Sequence, residues 1–285
     1  MKMFDNIKQK LKNNAQYIDQ ALSEYFFDDS AESPILNQAQ RYSLMGGGKK
    51  IRAFLVLEIC RLLGGETRIA TPYACAIEMI HASSLIHDDM PCMDNDDFRR
   101  GKPSTHKEFG ESAALLSGDS LMIKAFTAIS SNHIQASELN LKAVSILASS
   151  SGDEGMLAGQ GIDILSPEKI QSLDSLIHLH NLKTGKLIVA SAKLGCLAAG
   201  VLEDDYRYKL AVKYAENIGL AFQIVDDLLD YKEGKIEEHS FISFMTYEEA
   251  INYANDLTSE AIESIRIMDD GTLEELARYL TVREY

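Results

Sequence analysis

Five carboxylates fall within ten residues in the segment Asp88-Asp89-Met90-Pro91-Cys92-Met93-Asp94-Asn95-Asp96-Asp97-Phe98-Arg99-Arg100-Gly101. Pro91 disfavours helical backbone at Met90, so a helix is predicted to end there. Asp88 and Asp89 then occupy its last turn, with Asp94 to Asp97 on the loop above. A helix C-terminus already carries partial negative charge, and acids stacked on it require a positive partner. Arg99 and Arg100 could supply that charge alone, which would leave a solvated acidic loop. The other candidate is Mg²⁺, a hard cation that takes one or two carboxylates, several waters and substrate phosphate oxygens. A second cluster, Asp226-Asp227-Leu228-Leu229-Asp230, repeats the pattern. Asp226 and Asp230 are i and i+4 on one helix face, a repulsive pair unless a cation lies between them. Gln223 shares that face. The apolar run Gly219 to Val225 before it belongs in a core, so two core helices each end in acid.

A third set is basic. Gly46-Gly47-Gly48-Lys49-Lys50-Ile51-Arg52 is a glycine-rich turn opening a helix, a natural anion cradle although not a Walker P-loop. With Arg99, Arg100 and Lys183 it supplies enough cations for two diphosphates. Glu78-x-x-His81 is a lone ExxH, where a dimetal bundle needs two with partner carboxylates. His178 and His180 read as helix-surface or supporting residues. The four cysteines (Cys60, Cys75, Cys92, Cys196) show no metal-ligand spacing and read as reduced core thiols of a cytoplasmic chain.

The elements that must carry these groups are helices. The 285-residue chain is 46% hydrophobic, with 5 prolines, 18 glycines and no Trp, a composition that excludes global disorder and a many-stranded fold. Its net charge of −15 argues against a nucleic-acid binder. No signal-peptide core is present, and the longest apolar stretch, Leu187 to Leu202, is too short for a bilayer and broken by Lys193. Helices are predicted up to Gly64-Gly65, from Thr71-Pro72 to Asp88, over 112–131, from Ser166-Pro167-Glu168, from Leu173 to a break at 183–185 and on to Gly200, over 204–230, 247–268 and 273–280. The fold class expected is a single all-α domain spanning 1–285.

The motifs, taken in order, resemble those of the trans-isoprenyl diphosphate synthases, the family of farnesyl and geranylgeranyl diphosphate synthases. They are Gly47-Gly48-Lys49-x-x-Arg52, Asp88-Asp89-x-x-x-x-Asp94 followed by Arg99-Arg100-Gly101-Lys102-Pro103, Ser117-Gly118-Asp119, and Gly155-Met-x-x-Gly159-Gln160-x-x-Asp163. His180-x-x-Lys183-Thr184-Gly185 and Phe222-Gln223-x-x-Asp226-Asp227-x-x-Asp230 complete the series.

This resemblance implies a helical bundle around a deep apolar cavity, a homodimer, and condensation of isopentenyl diphosphate with dimethylallyl, geranyl or farnesyl diphosphate. It implies Mg²⁺, three ions per site with substrate bound, or Mn²⁺ in its place. The metal ligands would be Asp88, Asp94, Asp226 and Asp230, with Asp89 supporting. Arg99, Lys183, Thr184 and Gln223 would serve the allylic diphosphate and the carbocation. Lys49, Arg52, His81 and Arg100 would hold isopentenyl diphosphate. The partners expected are these substrates, without nucleic acid or stable membrane insertion. One departure stands out: after the second cluster the family carries a longer loop with Lys-Ser/Thr-Tyr-Pro, whereas Tyr231 to Phe241 is short and has His239 at the lysine position. Lys232 or Lys235 is left to substitute.

Two other classes compete with the chain-elongating prenyltransferase. A class I terpene cyclase would have no second diphosphate pocket, against Lys49, Arg52 and Arg100. A non-catalytic subunit of a heteromeric synthase would be expected to lose an aspartate cluster, and both are intact. For product length, Ser83 and Ser84 lie five and four residues before Asp88, about 6–7.5 Å down the helix. In the family, enzymes that stop at fifteen carbons often carry an aromatic there. Two serines favour a twenty-carbon product, with Met79 and Ile80 as the deeper stop; the alternative is that a bulky residue on a facing helix, Met122 or Phe126, closes the cavity instead.

Overall fold

The computed structural model describes residues 4–27, 32–232, 234 and 239–282. Each apolar periodicity becomes a helix: α1 (Asp5–Phe26), α2 (Pro34–Leu44), α3 (Ile51–Leu62), α4 (Thr67–Asp88), α5 (Thr105–Phe109), α6 (Glu111–Ser130) and α7 (Ser137–Ser151). The second half holds α8 (Met156–Leu165), α9 (Leu173–His180), α10 (Lys186–Ala198), α11 (Tyr206–Lys232), α12 (Tyr247–Ile265) and α13 (Thr272–Thr281). A two-residue ribbon, β1 (Phe98–Arg99) with β2 (Lys102–Pro103), is the only strand pairing among the described residues, and Phe98 faces Pro103.

Patterning decides which helices are central. On α13, Leu273, Leu276, Ala277 and Leu280 are buried, the one-sided stripe of a peripheral helix. On α4 every residue from Tyr73 to Ile80 is buried, and α10 is nearly as closed from Ala190 to Ala198. Helices that are buried all round must be wrapped by others, which is where α3, α6, α7 and α11 lie. The first candidate cluster stands at the C-terminal end of one such helix, α4, and the second near the end of α11, which packs against α10.

Three local expectations are corrected. Pro72 lies inside α4, which starts at Thr67. The hydrogen bond it removes belongs to the carbonyl of exposed Arg68, so the loss falls near solvent. Ser166-Pro167-Glu168 opens only a 3₁₀ turn over Pro167–Lys169, and the true start is α9, where Ser172 and Ser175 form a reciprocal cap. The break at 183–185 is a π turn, Asn181–Gly185, that joins α9 to α10 without interruption. Extra residues in a π turn displace side chains from the α register, a device frequent at functional sites.

Candidate active site

α4 terminates as Pro91 requires. Asp89 caps it, and Asp94 N–H returns to the Asp88 carbonyl at 2.9 Å, folding the acidic loop over the helix end. Asp89 is 2% exposed and paired with Arg99, whose Nε donates at 2.9 Å and whose Nη2 also bonds it. Arg99 reaches Asp96 as well, at 3.2 Å. An arginine thus compensates Asp89, as the simple reading of this segment expects. Asp88 is different. Its Oδ1 accepts from Gln160 Nε2 at 2.9 Å, and burial pushes its carboxyl up to about 6, with Asp94 acting in the same direction and Lys183 against it. Burial raises Asp94 too. Two carboxyls raised in this way would both be relieved by a cation between them.

No group of three or more His, Cys, Asp or Glu poised to hold a metal exists among the described residues. Mg²⁺ does not need one, because it completes its shell with water and phosphate oxygens. The all-oxygen donor set of Asp88 and Asp94 therefore fits an ion that arrives with a diphosphate.

The facing wall is α8 and the π turn. Lys183 Nζ meets Asp163 at 2.5 Å, and Thr184 lines the same cavity. The approach is close: a Cβ on Gly159 would sit 2.4 Å from the Lys183 backbone nitrogen, so only glycine lets α8 reach the turn. Gln160 and Asp163 hold the Asp88 and Lys183 side chains, roles that the sequence reading left unassigned. Their signal was the i, i+3 polar pair on an otherwise apolar helix.

At the basic end, Gly47 and Gly48 have φ of 103° and 95°, conformations that favour glycine. Arg100 Nη1 donates to the Gly47 carbonyl at 2.8 Å, with its guanidinium where a Gly48 Cβ would be. Arg52 and His81 line the cavity. Burial lowers the pKa of Arg52, and burial together with Arg52 and Arg100 takes His81 well below its usual value, so His81 is neutral. Glu78 accepts from Ala53 N–H at 3.0 Å and offsets the positive charge on Arg52 and Arg100. Lys49 is not brought into this group. It is exposed, 4.9 Å from the Tyr279 ring centre, and lines a separate hollow with Lys8 and Lys12.

On α11, Gln223 Nε2 lies 3.3 Å from His180 Nδ1. Asp227 Oδ2 accepts from Phe241 N–H at 2.8 Å. Asp226 and Asp230 are partly buried on the same face. None of these α11 residues lines the cavity, although α11 packs against the π turn that does. Lys232 rests 5.8 Å from the Tyr247 ring centre, and Lys235 lies outside the described residues.

The cavity holds about 410 Å³ and runs from Asp88 past Ser83 and Ser84 to an apolar wall of Leu115, Met122, Met156 and Leu187. Met122 is thus a cavity residue, whereas Met79 and Ile80 are sealed in the core and Phe126 packs against that core. Cys92 also lines the cavity and is exposed, contrary to its expected place in the core; the Asp-rich loop carries it out to solvent. Such an arrangement, acids and cations at one end of an apolar tunnel, suits a diphosphate on a hydrocarbon tail.

The sequence description of the polyprenyl synthetase family matches residues 33–239. A farnesyl diphosphate synthase of Geobacillus stearothermophilus is 44% identical over 229 residues, covering 79% of this chain and 75% of that one. The chloroplastic heterodimeric geranylgeranyl pyrophosphate synthase large subunit 1 of Arabidopsis thaliana is 40% identical over 273 residues, covering 87% and 72%. The apo structure of an FPP/GFPP synthase from Zymomonas mobilis superposes with a TM-score of 0.89 at 37% identity, covering 98% of this chain and all of that one.

Proposed function

Because the chain belongs to the polyprenyl synthetase family and is a short-chain prenyltransferase, we propose that it joins isopentenyl diphosphate to an allylic diphosphate and releases a twenty-carbon product. The observation that carries the site assignment is Asp88, held by Gln160 in the lining of a cavity whose other polar wall is Arg52 and His81, with the Asp94 loop bonded back to its carbonyl. Asp88, Asp94, Asp226 and Asp230 would hold Mg²⁺, which when bound with the allylic substrate neutralises charge on the departing diphosphate.

The chain's own groups do the rest. Arg99 holds Asp89 in place through two hydrogen bonds. Lys183, restrained by Asp163, donates to the diphosphate as the allylic C–O bond lengthens. The oxygens of Thr184 and Gln223 turn toward the positive carbons. Arg52, Arg100 and neutral His81 donate to the diphosphate of the attacking alkene, and Lys49 reaches it by leaving the Tyr279 ring. The apolar wall keeps water from the cation. A terpene cyclase has no use for this second anion pocket.

We further assign the whole of 1–285 to one domain, working in the cytoplasm as a homodimer. Three buried, unpaired thiols suit a reducing compartment, and no helix described is long and apolar enough to cross a membrane. The homodimer is supported by bulky apolar residues on the outer faces of α6 and α7: Leu116 and Ile123 are 57% and 68% exposed and Leu141 is 70% exposed.

Mass spectrometry of dephosphorylated product from labelled isopentenyl diphosphate tests the reading. A labelled C20 alcohol is expected with Mg²⁺ and none with excess EDTA. Asp88→Ala should lower kcat by roughly 10²–10³. Full activity in EDTA would remove the metal assignment.

A further inference from the structure

Beside the residues with assigned roles stands a half-buried imidazole, His180, whose Nδ1 meets Gln223. It ends α9 immediately before the π turn that carries Lys183 and Thr184. Its ring lies flat on Phe241, with centres 5.3 Å apart and planes 17° from parallel, and Phe241 is fully buried. The backbone of Phe241 is in turn tied to Asp227 at 2.8 Å. The imidazole is therefore clamped between two helices and the segment that follows the second acidic cluster.

We propose that His180 is a positioning residue, fixing the Gln223 side-chain amide so that its NH₂ is engaged and its carbonyl oxygen is turned to the reacting carbons. The proposal rests on the reading that Gln223 faces the allylic cation. A glutamine amide is nearly symmetric in shape but opposite in polarity at its two ends. Turned one way it offers an oxygen to a cation, and turned the other it repels that cation with an N–H dipole. A neighbour that accepts a hydrogen bond selects the first orientation.

Nδ1 of His180, 3.3 Å from Gln223 Nε2, is that acceptor. The ring must be neutral to accept, and burial holds its pKa down to about 4. With Nδ1 accepting, the ring proton resides on Nε2, which is buried and has no hydrogen-bond partner among the described residues. An orphaned buried donor is a cost. The imidazole is thus arranged for what Nδ1 does to Gln223, at the expense of its own pairing. Phe241 supplies a flat apolar floor that fixes the ring plane without offering a competing hydrogen bond.

Four variants and one spectroscopic measurement test this. His180→Phe keeps a flat ring against Phe241 and loses the acceptor, so it should lower kcat about tenfold with KM for both diphosphates within about twofold. His180→Asn, whose amide oxygen can accept the same bond, should recover most of the rate. In a Gln223→Ala background, His180→Phe should cost no more than about twofold, because its effect runs through Gln223. An equal loss in both backgrounds, or an unchanged kcat in His180→Phe, overturns the proposal. Independently of turnover, the Gln223 side-chain NH₂ resonances, identified by their loss in Gln223→Ala, should exchange slowly in the intact chain and faster in His180→Phe. Equal exchange in the two overturns the contact itself. Slow exchange in an intact chain that forms no longer prenyl diphosphate would overturn the assigned reaction instead, and the positioning role with it.

Discussion

Asp88 has a carboxyl that burial raises to about 6 from an ordinary 3.8. A carboxyl raised on folding binds its proton more tightly in the native state. Its contribution to stability is full below the unfolded value and is lost as pH rises through the folded one. The metal-free chain should therefore lose stability between about pH 4 and 6, on the order of 2 kcal/mol from this residue. Asp88→Asn keeps the oxygen that accepts from Gln160 and removes the charge. It should be more stable than the parent at pH 7.5 in EDTA while its kcat falls by roughly 10²–10³. Urea denaturation across pH, run beside turnover, checks both. A parent whose stability is flat from pH 4 to 6 would show that Asp88 does not carry this strain. Much of this residue scale was legible from types and spacing, because the acids, arginines and glycines announce a diphosphate chemistry. The sequence left open which acid is neutralised and which is strained: Arg99 reaches Asp89 and leaves Asp88 to Gln160.

The π turn and its neighbours decide reach. At Gly159 any side chain meets the Lys183 backbone, which cannot yield as a flexible side chain would. Gly159→Ala should therefore destabilise the chain by about 1–3 kcal/mol. It should also lower kcat by displacing Lys183, whereas Gly161→Ala, with open space around it, should leave kcat unchanged. Paired urea titrations and initial rates separate the two. The cavity wall gives a second element-scale expectation. Ser83 is 1% exposed on α4, a turn before Asp88, and it lines the tunnel opposite Met122 of α6. Ser83→Tyr should shorten the main product from twenty carbons to fifteen, read as farnesol after dephosphorylation. An identical product profile would move the stop elsewhere, Met122 being the next residue to enlarge.

Across the whole molecule the net charge is −15, yet the apolar residues Leu116 and Ile123 on α6 and Leu141 on α7 stand exposed. A strongly acidic chain gains solubility from its charge, so an uncovered apolar face is better explained by a partner subunit. Ile123→Glu combined with Leu141→Glu should shift sedimentation from dimer to monomer. A parent chain that already sediments as a monomer would remove the homodimer.

The sequence by itself determined the helical class, the order of the motifs and the ends of most of the helices it named, leaving α1, α2, α5, α7 and α8 unassigned. Each of these follows from local rules: 3.6-residue periodicity, proline and glycine punctuation, and charge at helix ends. Its local misreadings were of the same kind. Pro72 looked like a first-turn residue, and 183–185 looked like a break, because nothing local says that a helix will tolerate a lost hydrogen bond near solvent or absorb extra residues as a π turn. Only the tertiary structure decided the pairings across helices: Arg99 with Asp89, Lys183 with Asp163, Gln160 with Asp88, and His180 with Gln223. It also placed Lys49 on Tyr279, outside the cavity that takes Arg52. Spacing fixes the face of a helix a side chain leaves from, but the partner it finds depends on how closely two helices approach. That distance is set by residues such as Gly159, where a missing Cβ lets the backbones meet.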